Sequence, residues 1–395
     1  MALSIEVFTT LLTVGGLVYM LLALWSARDF GRLARRMRGE EIDGPRFAPD
    51  VSILKPVKGV DPRMYGGLAS HCRQTYAGQY EILFAVSDLA DPAVAVIQRL
   101  QAEFPSAAIR VVECRERLGT SGKVSNLVQA FEQAQYPYVL INDSDIRVSP
   151  HYLTRVMRCF GADGVGMVTA PYLGRTAAEG AALTVWARLE ALGISTDFLP
   201  GVLTARKLEG GIRFGLGSTL AVSRAALEAA GGLAPLVEYL ADDYELGARV
   251  AAAGFRVELS AEVVETTVPA YTFRGFLEHQ LRWARSTRDS RRLGYLGLGI
   301  SYAVPWAMLN CVATGFELWS FSLLSLVLLA RVAVALSVGV GVLNDPQVLR
   351  DLCLLPVRDW FGLIFWAWSF ASDEVVWRGE RFRLRQGRIV PAGGP

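Results

Sequence analysis

Tyr138-Val139-Leu140-Ile141-Asn142-Asp143-Ser144-Asp145-Ile146-Arg147 is the stretch on which the fold turns. Its first four residues are apolar and partly β-branched, so they read as a buried strand. The two carboxylates then stand where that strand runs out into a loop, the edge at which open α/β sheets place ligand chemistry. Carboxylates held close disfavour joint ionisation. A hard divalent cation relieves the repulsion, and Mg²⁺ usually takes one or two carboxylates and completes its shell with water and phosphate oxygens. Asp143 and Asp145 therefore read as a metal site for a diphosphate, with a polar turn after a strand as the plain alternative.

Working outward, Val51 to about Arg285 carries a soluble α/β pattern. Runs at 51–54, 81–86 and 109–112 read as strands, and stretches near 63–74, 92–104 and 122–135 read as helices. That alternation implies βαβ units and a parallel sheet. After the acidic motif, Ser149 is the expected N-cap of a helix with Pro150 at its first position. Another helix is expected to end at Gly231-Gly232, where positive φ costs little.

Three loops fall at strand ends: Lys55-Pro56-Val57-Lys58-Gly59, Ser87-Asp88 and Gly119-Thr120-Ser121-Gly122-Lys123. The last leads into a helix N-terminus, which offers N–H groups to an anion. It has neither Walker spacing nor a dinucleotide fingerprint. Taken singly, Asp88 fits a turn equally well and Lys123 fits a solvated surface better than a ligand; taken together with the glycine loop they resemble a nucleotide-diphosphate site. Farther on, Leu240-Ala241-Asp242-Asp243-Tyr244-Glu245-Leu246 opens a helix, where the macrodipole alone would favour acids. His279, Arg282 and Trp283 stand at i, i+3 and i+4, so they share one helix face. An arginine fork suits phosphate. With Arg285, Arg288, Arg291 and Arg292 following, the same helix also reads as a basic element lying on a membrane.

The ends are apolar. Of the 395 residues, 52% are hydrophobic, and mean hydropathy is +0.30. Ile5 to Trp25 is uncharged apart from Glu6 and long enough to cross a bilayer. Arg28, Arg32, Arg35, Arg36 and Arg38 follow it, the order of an uncleaved anchor whose downstream chain is cytoplasmic. The expected divisions are an anchor over 1–27, a basic juxtamembrane linker over 28–50 (with Gly44, Pro45 and Pro49), a catalytic domain over 51–292, and a membrane region over 293–395. In that last part, runs from Leu296 to Gly315 and Trp319 to Leu343 are expected to cross, although Arg331 interrupts the second. Leu352 to Ala371, with Arg358 and Asp359, is expected to lie shallow or re-enter. Arg378, Arg381, Arg383, Arg385 and Arg388 favour a cytoplasmic end. A net charge of +2 calls for no nucleic acid. Five cysteines without CxxC spacing and three histidines argue against a zinc site or a disulfide framework.

In order and interval, Asp88, Asp143-Ser-Asp145, Asp242-Asp243 and His279-Gln-Leu-Arg282-Trp283 resemble the D, D, D, (Q/R)xxRW series of inverting family 2-type glycosyltransferases with a GT-A fold. Val51-Ser-Ile-Leu-Lys-Pro-Val-Lys-Gly59, Lys123-Val-Ser-Asn126-Leu and Asp143-Ser-Asp-Ile-Arg147 narrow the likeness to the ceramide glucosyltransferase family (glycosyltransferase family 21), close to the hopanoid-associated glycosyltransferases of bacteria. The departure is His279, where Gln or Arg is usual. The resemblance implies an α/β GT-A domain flanked by transmembrane helices. It implies Pro56, Val57, Asp88, Lys123, Asn126 and Asp143 on a UDP-sugar, and Asp143 with Asp145 holding Mg²⁺ or Mn²⁺. Asp243, with Asp242 as the competing choice, would be the general base. Arg282 would lie at the diphosphate and Trp283 at the acceptor, with Phe214-Gly215-Leu216-Gly217-Ser218 beneath it. The implied partners are the bilayer and a membrane lipid, ceramide first, with N-acetylglucosaminyl transfer to a hopanoid as runner-up. A processive polysaccharide synthase would need more crossings, and a non-catalytic sugar-nucleotide binder would have lost Asp243 or Asp145. Trp186 to Leu203 reads as either an amphipathic surface element or a core helix.

Overall fold

The computed structural model of the chain describes residues 2–43, 47–61, 63–177, 183–377 and 380–391. Gly44 and Pro45 of the expected linker and Arg378 of the tail lie outside them, as does the side chain of Arg38. Helix α1 (Ala2–Asp43) contains the apolar run and continues through the arginines. One face, with Met20, Ala23, Ala27 and Phe30, is buried, whereas Leu3, Phe8, Leu11, Val18 and Leu21 are exposed. An apolar face left open beside a packed one is what a lipid-facing helix requires.

Strand β1 (Val51–Pro56), α2 (Met64–Cys72), β2 (Tyr80–Val86), α3 (Ala93–Glu103), β3 (Ala108–Glu113), α4 (Gly122–Glu132) and β4 (Tyr138–Ile141) alternate as the sequence predicts. Leu54 of β1 pairs in register with Leu83 of β2 and Ile141 of β4, all parallel. Ile53, Leu54, Leu83, Phe84 and Leu140 are buried, which is why these strands read as continuous apolar runs. Ser121 caps α4, its Oγ accepting the Val124 N–H.

Strand β5 (Ile146–Arg147) and α5 (Tyr152–Arg158) follow the acids. Here the expected cap is wrong: His151 holds the N-cap position, without a side-chain bond. The Ser149 hydroxyl donates instead to buried Glu262 at 2.5 Å. A bond to a buried carboxylate outweighs one to a helix N–H. The chain then runs through β6 (Val165–Thr169), β7 (Tyr172–Thr176), α6 (Val185–Gly193), a π-helical turn at Ile194–Phe198, α7 (Leu199–Leu208), β8 (Leu220–Ser223), α8 (Arg224–Ala229), α9 (Asp242–Ala252), β9 (Arg256–Leu259) and β10 (Val264–Val268). Leu189, Leu192, Leu199 and Leu203 are buried, so 186–203 is core rather than surface. Gly231 and Gly232, at φ 90° and 76°, follow the end of α8 as expected. The main sheet has the order β3-β2-β1-β4-β8-β6-β9, with β8 antiparallel to both neighbours. A second sheet, β5-β10-β7, was not foreseen. The domain is of the expected α/β class, and the acids leave the C-terminal end of β4.

Thr272 caps α10 (Phe273–Ser290). Helices α11 (Arg292–Ser301) and α12 (Ala303–Ala313) meet at 53°, so the expected straight crossing over 296–315 is bent near its middle. A Cβ on Gly16 of α1 would lie 2.5 Å from that of Ala303, so glycine permits this close crossing of α1 and α12. Helix α13 (Leu318–Ala335) continues through a π-helical turn to Val340. By length and composition, 3–37 and 318–340 can each cross a membrane, and the bent pair passes the same test when taken together. Helices α14 (Gln347–Asp351) and α15 (Leu355–Ser369) close the membrane part.

The charges in these apolar runs are paired inside the protein. Arg331 Nε donates to both oxygens of Asp359 at 2.9 Å, and its NH2 to Asp197 at 2.5 Å. Arg358 donates to the other Asp197 oxygen at 2.7 Å and to Gln280 at 2.7 Å. The π-helical turn supplies the Thr196 carbonyl to Arg331 at 3.0 Å. The last strands, β11 (Glu374–Trp377), β12 (Glu380–Arg385) and β13 (Arg388–Pro391), form a small antiparallel sheet where a basic tail was expected.

Candidate active site

The site collects where β1, β4, α4, α9 and α10 end or begin. Lys123, one residue into α4, is the joint. Its Nζ lies 3.0 Å from Asp143 Oδ1 and 3.1 Å from Asp242 Oδ2, so acids 99 positions apart (242 − 143) share one ammonium. Burial opposes that charge, but Asp143, Asp242 and Asp243 outweigh it and hold the ammonium above its usual range. The solvated-surface reading of Lys123 is thereby excluded.

Asp243 follows Asp242 in the first turn of α9. Burial, with Asp242 second, pushes its carboxyl up to about 6, against the pull of Lys123. Gly215 and Gly217 lie against it: Gly215 N–H donates to the Asp243 carbonyl at 3.2 Å, and a Cβ on Gly217 would come within 3.0 Å of Asp243 Oδ2. These glycines are the shelf on which the acid rests.

Asp145 is tied to the second sheet by Thr266, whose hydroxyl donates to Oδ2 at 2.5 Å. Burial and neighbouring Asp143 raise its carboxyl above the ordinary range. Beneath the loop lies a lysine the sequence quotes only as part of a strand end. Lys55 is fully buried, with Nζ donating to the Asp143 carbonyl at 3.1 Å and 3.3 Å from His71 Nε2. Burial pulls its ammonium down to about 7, opposed by Asp145 and Asp143. His71 Nδ1 faces the Gly67 carbonyl at 3.0 Å, its Nε2 lies between Lys55 Nζ and Asn142 Oδ1 at 3.2 Å, and burial keeps the ring neutral. Lys55 thus ties the backbone of the acidic loop to β1.

Pro56 and Val57 stand at the end of β1, Val57 buried and its N–H bonded to Ala85 at 2.9 Å. Asp88 is exposed and closes its own turn, Oδ1 accepting the Ala90 N–H at 2.8 Å and its carbonyl the Asp91 N–H at 3.1 Å; among the described residues it makes no hydrogen bond to Asp143, Asp145, Asp242 or Asp243. Asn126 bonds the adjacent Ser87, with Nδ2 3.0 Å from Oγ. Asp91, not singled out from sequence, fixes the loop after β1 by accepting the Gly59 N–H at 2.9 Å.

On α10, His279 and Trp283 have ring centroids 5.1 Å apart, Trp283 lies 6.0 Å from Phe198, and Tyr271 lies 5.3 Å from His279. His279 Nδ1 is 3.2 Å from Glu190 Oε1 but out of line for a hydrogen bond. Gln280, the next residue, donates to the other oxygen of Glu190 at 2.6 Å and accepts from Arg358, which links the site to the membrane ion network. Arg282 makes no hydrogen bond or ion pair among the described residues. Burial draws its guanidinium below the usual arginine range, while Tyr271, Glu190, Asp143 and Asp243 oppose the shift. A desolvated, unpaired arginine between acids is a ready anion site.

Among the described residues no cluster of three His, Cys, Asp or Glu side chains forms a closed metal cage. The donor set still fits a hard divalent cation, since two mutually repelling carboxylates supply what such an ion takes from protein when phosphates complete its shell.

The sequence model described as "Glycosyl transferase family 21" matches residues 8–390. Ceramide glucosyltransferase 3 of Caenorhabditis elegans is 26% identical over 245 residues, covering 60% of this chain and 50% of that protein. Ceramide glucosyltransferase 1 of the same animal is 27% identical over 364 residues, covering 86% and 72%. The match thus spans half the length of the first relative and rather more of the second. Among solved structures, a mannosyltransferase from Pyrobaculum calidifontis in complex with GDP-Man and Mn²⁺ aligns with a TM-score of 0.49 at 18% identity, covering 91% of this chain and 99% of that one.

Proposed function

The chain belongs to glycosyl transferase family 21, and from that premise we propose that it is a membrane-bound inverting enzyme moving glucose from UDP-glucose to the hydroxyl of ceramide. The observation that carries this reading is the Lys123 bridge, which joins the strand-end acid Asp143 to the helix-start pair Asp242-Asp243 in one site. The two relatives carry ceramide in their names, which favours that acceptor over a hopanoid.

Asp243 accepts the proton of the acceptor hydroxyl as its oxygen attacks the anomeric carbon and the bond to UDP breaks on the opposite face. Its raised pKa brings the carboxylate close to the working pH, where a general base is most effective. Gly215 and Gly217 leave the room in which the acid sits close against the backbone. Arg282 and Lys123 bind the diphosphate oxygens, and Pro56, Val57 and the Ser87–Asn126 pair bound the nucleoside end. Asp143 and Asp145 would hold Mg²⁺ or Mn²⁺, which supplies charge neutralisation at the leaving diphosphate. Trp283 and Phe198 form an apolar wall for the acceptor.

The arginines after the first apolar run support a cytoplasmic catalytic domain in the cell membrane. The C-terminal sheet bonds to the same domain, so the crossings between α10 and β11 are even in number; α13 and the bent pair α11–α12 satisfy this.

The test is transfer by detergent-solubilised protein from UDP-glucose and UDP-N-acetylglucosamine, with and without metal, into ceramide and hopanoid acceptors. Metal-dependent glucosylceramide is the expected product, and label on the hopanoid alone would replace the acceptor. A further expectation concerns pH. The Asp242-Asp243 pair titrates as a unit, and below about pH 6 the base carries a proton and cannot accept another. kcat/KM should therefore fall about tenfold per unit as pH drops below that midpoint and level off above it. A flat profile from pH 5 to pH 8 removes Asp243 from the role.

A further inference from the structure

The arginine-rich tail is built into the catalytic domain beside the acid pair. Val375, Phe382, Leu384 and Ile389 of the β11–β13 sheet form a small core of their own, and the one catalytic-domain side chain buried in it is Leu240, two residues before Asp242. The backbone is held as well: Leu240 N–H donates to the Gly387 carbonyl at 3.2 Å, and Tyr239 forms an antiparallel bridge with Arg388. The Tyr239 ring lies between two guanidinium groups, Arg249 and Arg388, each 5.5 Å from its centroid. Immediately upstream, Glu238 accepts the Thr120 N–H at 3.1 Å, which fixes the loop leading to Lys123.

The same sheet grips α10. Gly387 N–H donates to Asp289, and Arg285 donates to the Glu374 carbonyl. Arg288 bonds the Ser369 carbonyl at the end of α15 and the Asp373 carboxylate. One small sheet thus holds the segment entering the acid pair, the helix carrying Arg282 and Trp283, and the end of the last membrane helix.

We propose that the C-terminal sheet is the positioning element of the acid pair, setting Asp242 and Asp243 against Lys123 and α10 through Leu240. This rests on the assignment of Asp243 as base. A chain that ended at α15 would leave Leu240 exposed and take the sheet's hold off the 238–241 segment, leaving Glu238 on Thr120 and Tyr239 on Arg249. The acids would then be free to shift relative to the diphosphate site.

Two substitutions in the sheet test this without touching substrate. Ile389→Ala empties the small core opposite Leu240. Gly387→Ala puts a Cβ at φ 78°, 3.2 Å from the Tyr239 ring. Both should lower kcat about 10- to 100-fold, because displacing a catalytic group by about 1 Å costs that much. UDP binding should fall by less than kcat, since the Lys123–Asp143 pair stays in place while the Lys123–Asp242 contact loosens. The acid limb of the pH profile should shift toward the ordinary carboxylate range, and Ile389→Val should recover most of kcat. Equal loss of kcat and UDP binding with an unshifted pH limb would mean the sheet is only structural, and unchanged kcat in both variants would overturn the proposal outright. Asp243→Asn measured alongside separates the two ideas. Near-normal turnover there overturns the base assignment, whereas an inactive Asp243→Asn beside unaltered sheet variants overturns the positioning role alone.

Discussion

Asp243→Asn is expected to lower kcat by about 10²- to 10⁴-fold, the range that general-base catalysis supplies, while UDP-glucose still binds. The substitution keeps the shape of the side chain, so the contact with Gly217 and the packing on the shelf survive. It removes the one property the step requires, a lone pair basic enough to take a hydroxyl proton. Donor binding should persist because Lys123 keeps its contacts to Asp143 and Asp242 and Arg282 is untouched. Asp242→Asn differs: it strips Lys123 of a partner, so it should weaken donor binding as well as turnover. Single-turnover rates and UDP binding measured on both variants decide between the two acids. If Asp242→Asn loses turnover and Asp243→Asn does not, the base is Asp242.

What the sequence makes legible follows from how strongly each element is specified locally. Strands β2 and β4 announce themselves because a parallel strand buried on both faces is a nearly unbroken apolar run, and β1 and β3 keep enough of one to be read, despite Lys55 and Arg110. The β5-β10-β7 sheet is hidden because Val264-Glu265-Thr266-Thr267-Val268 has no such run, and β5 is two residues long. Lys55 is hidden because lysines are almost never fully buried; only its place inside an otherwise apolar strand hinted at it. The tail carried a signal that charge obscured. Arg381-Phe382-Arg383-Leu384-Arg385 alternates with period two, and that is a half-buried strand. Its arginines face out while Phe382 and Leu384 are buried. Resemblance could bring Asp143, Asp242, Arg282 and Lys123 to one site, but not the sharing of Lys123 between the two acids, which depends on the fold.

The second large effect is expected far from the chemistry. Asp359, buried in the membrane part, is bonded by Arg331 alone among the described residues, whereas Asp197 also has Arg358. Arg331→Met therefore strands a buried carboxylate, and breaking such a pair from one side costs about 3–5 kcal/mol. Arg331→Met combined with Asp359→Leu removes both charges and should recover most of that loss, because apolar replacements of a buried pair are often neutral or better. Asp197 keeps Arg358 in both variants, so the comparison isolates the Arg331–Asp359 pair. The measurement is unfolding of the three proteins in one detergent. A double variant no more stable than the single would locate the loss in the Thr196 carbonyl and the π-helical turn that Arg331 also binds. Since the network reaches α10 through Arg358 and Gln280, the single variant should also reduce turnover, and the double variant should restore it in step with stability.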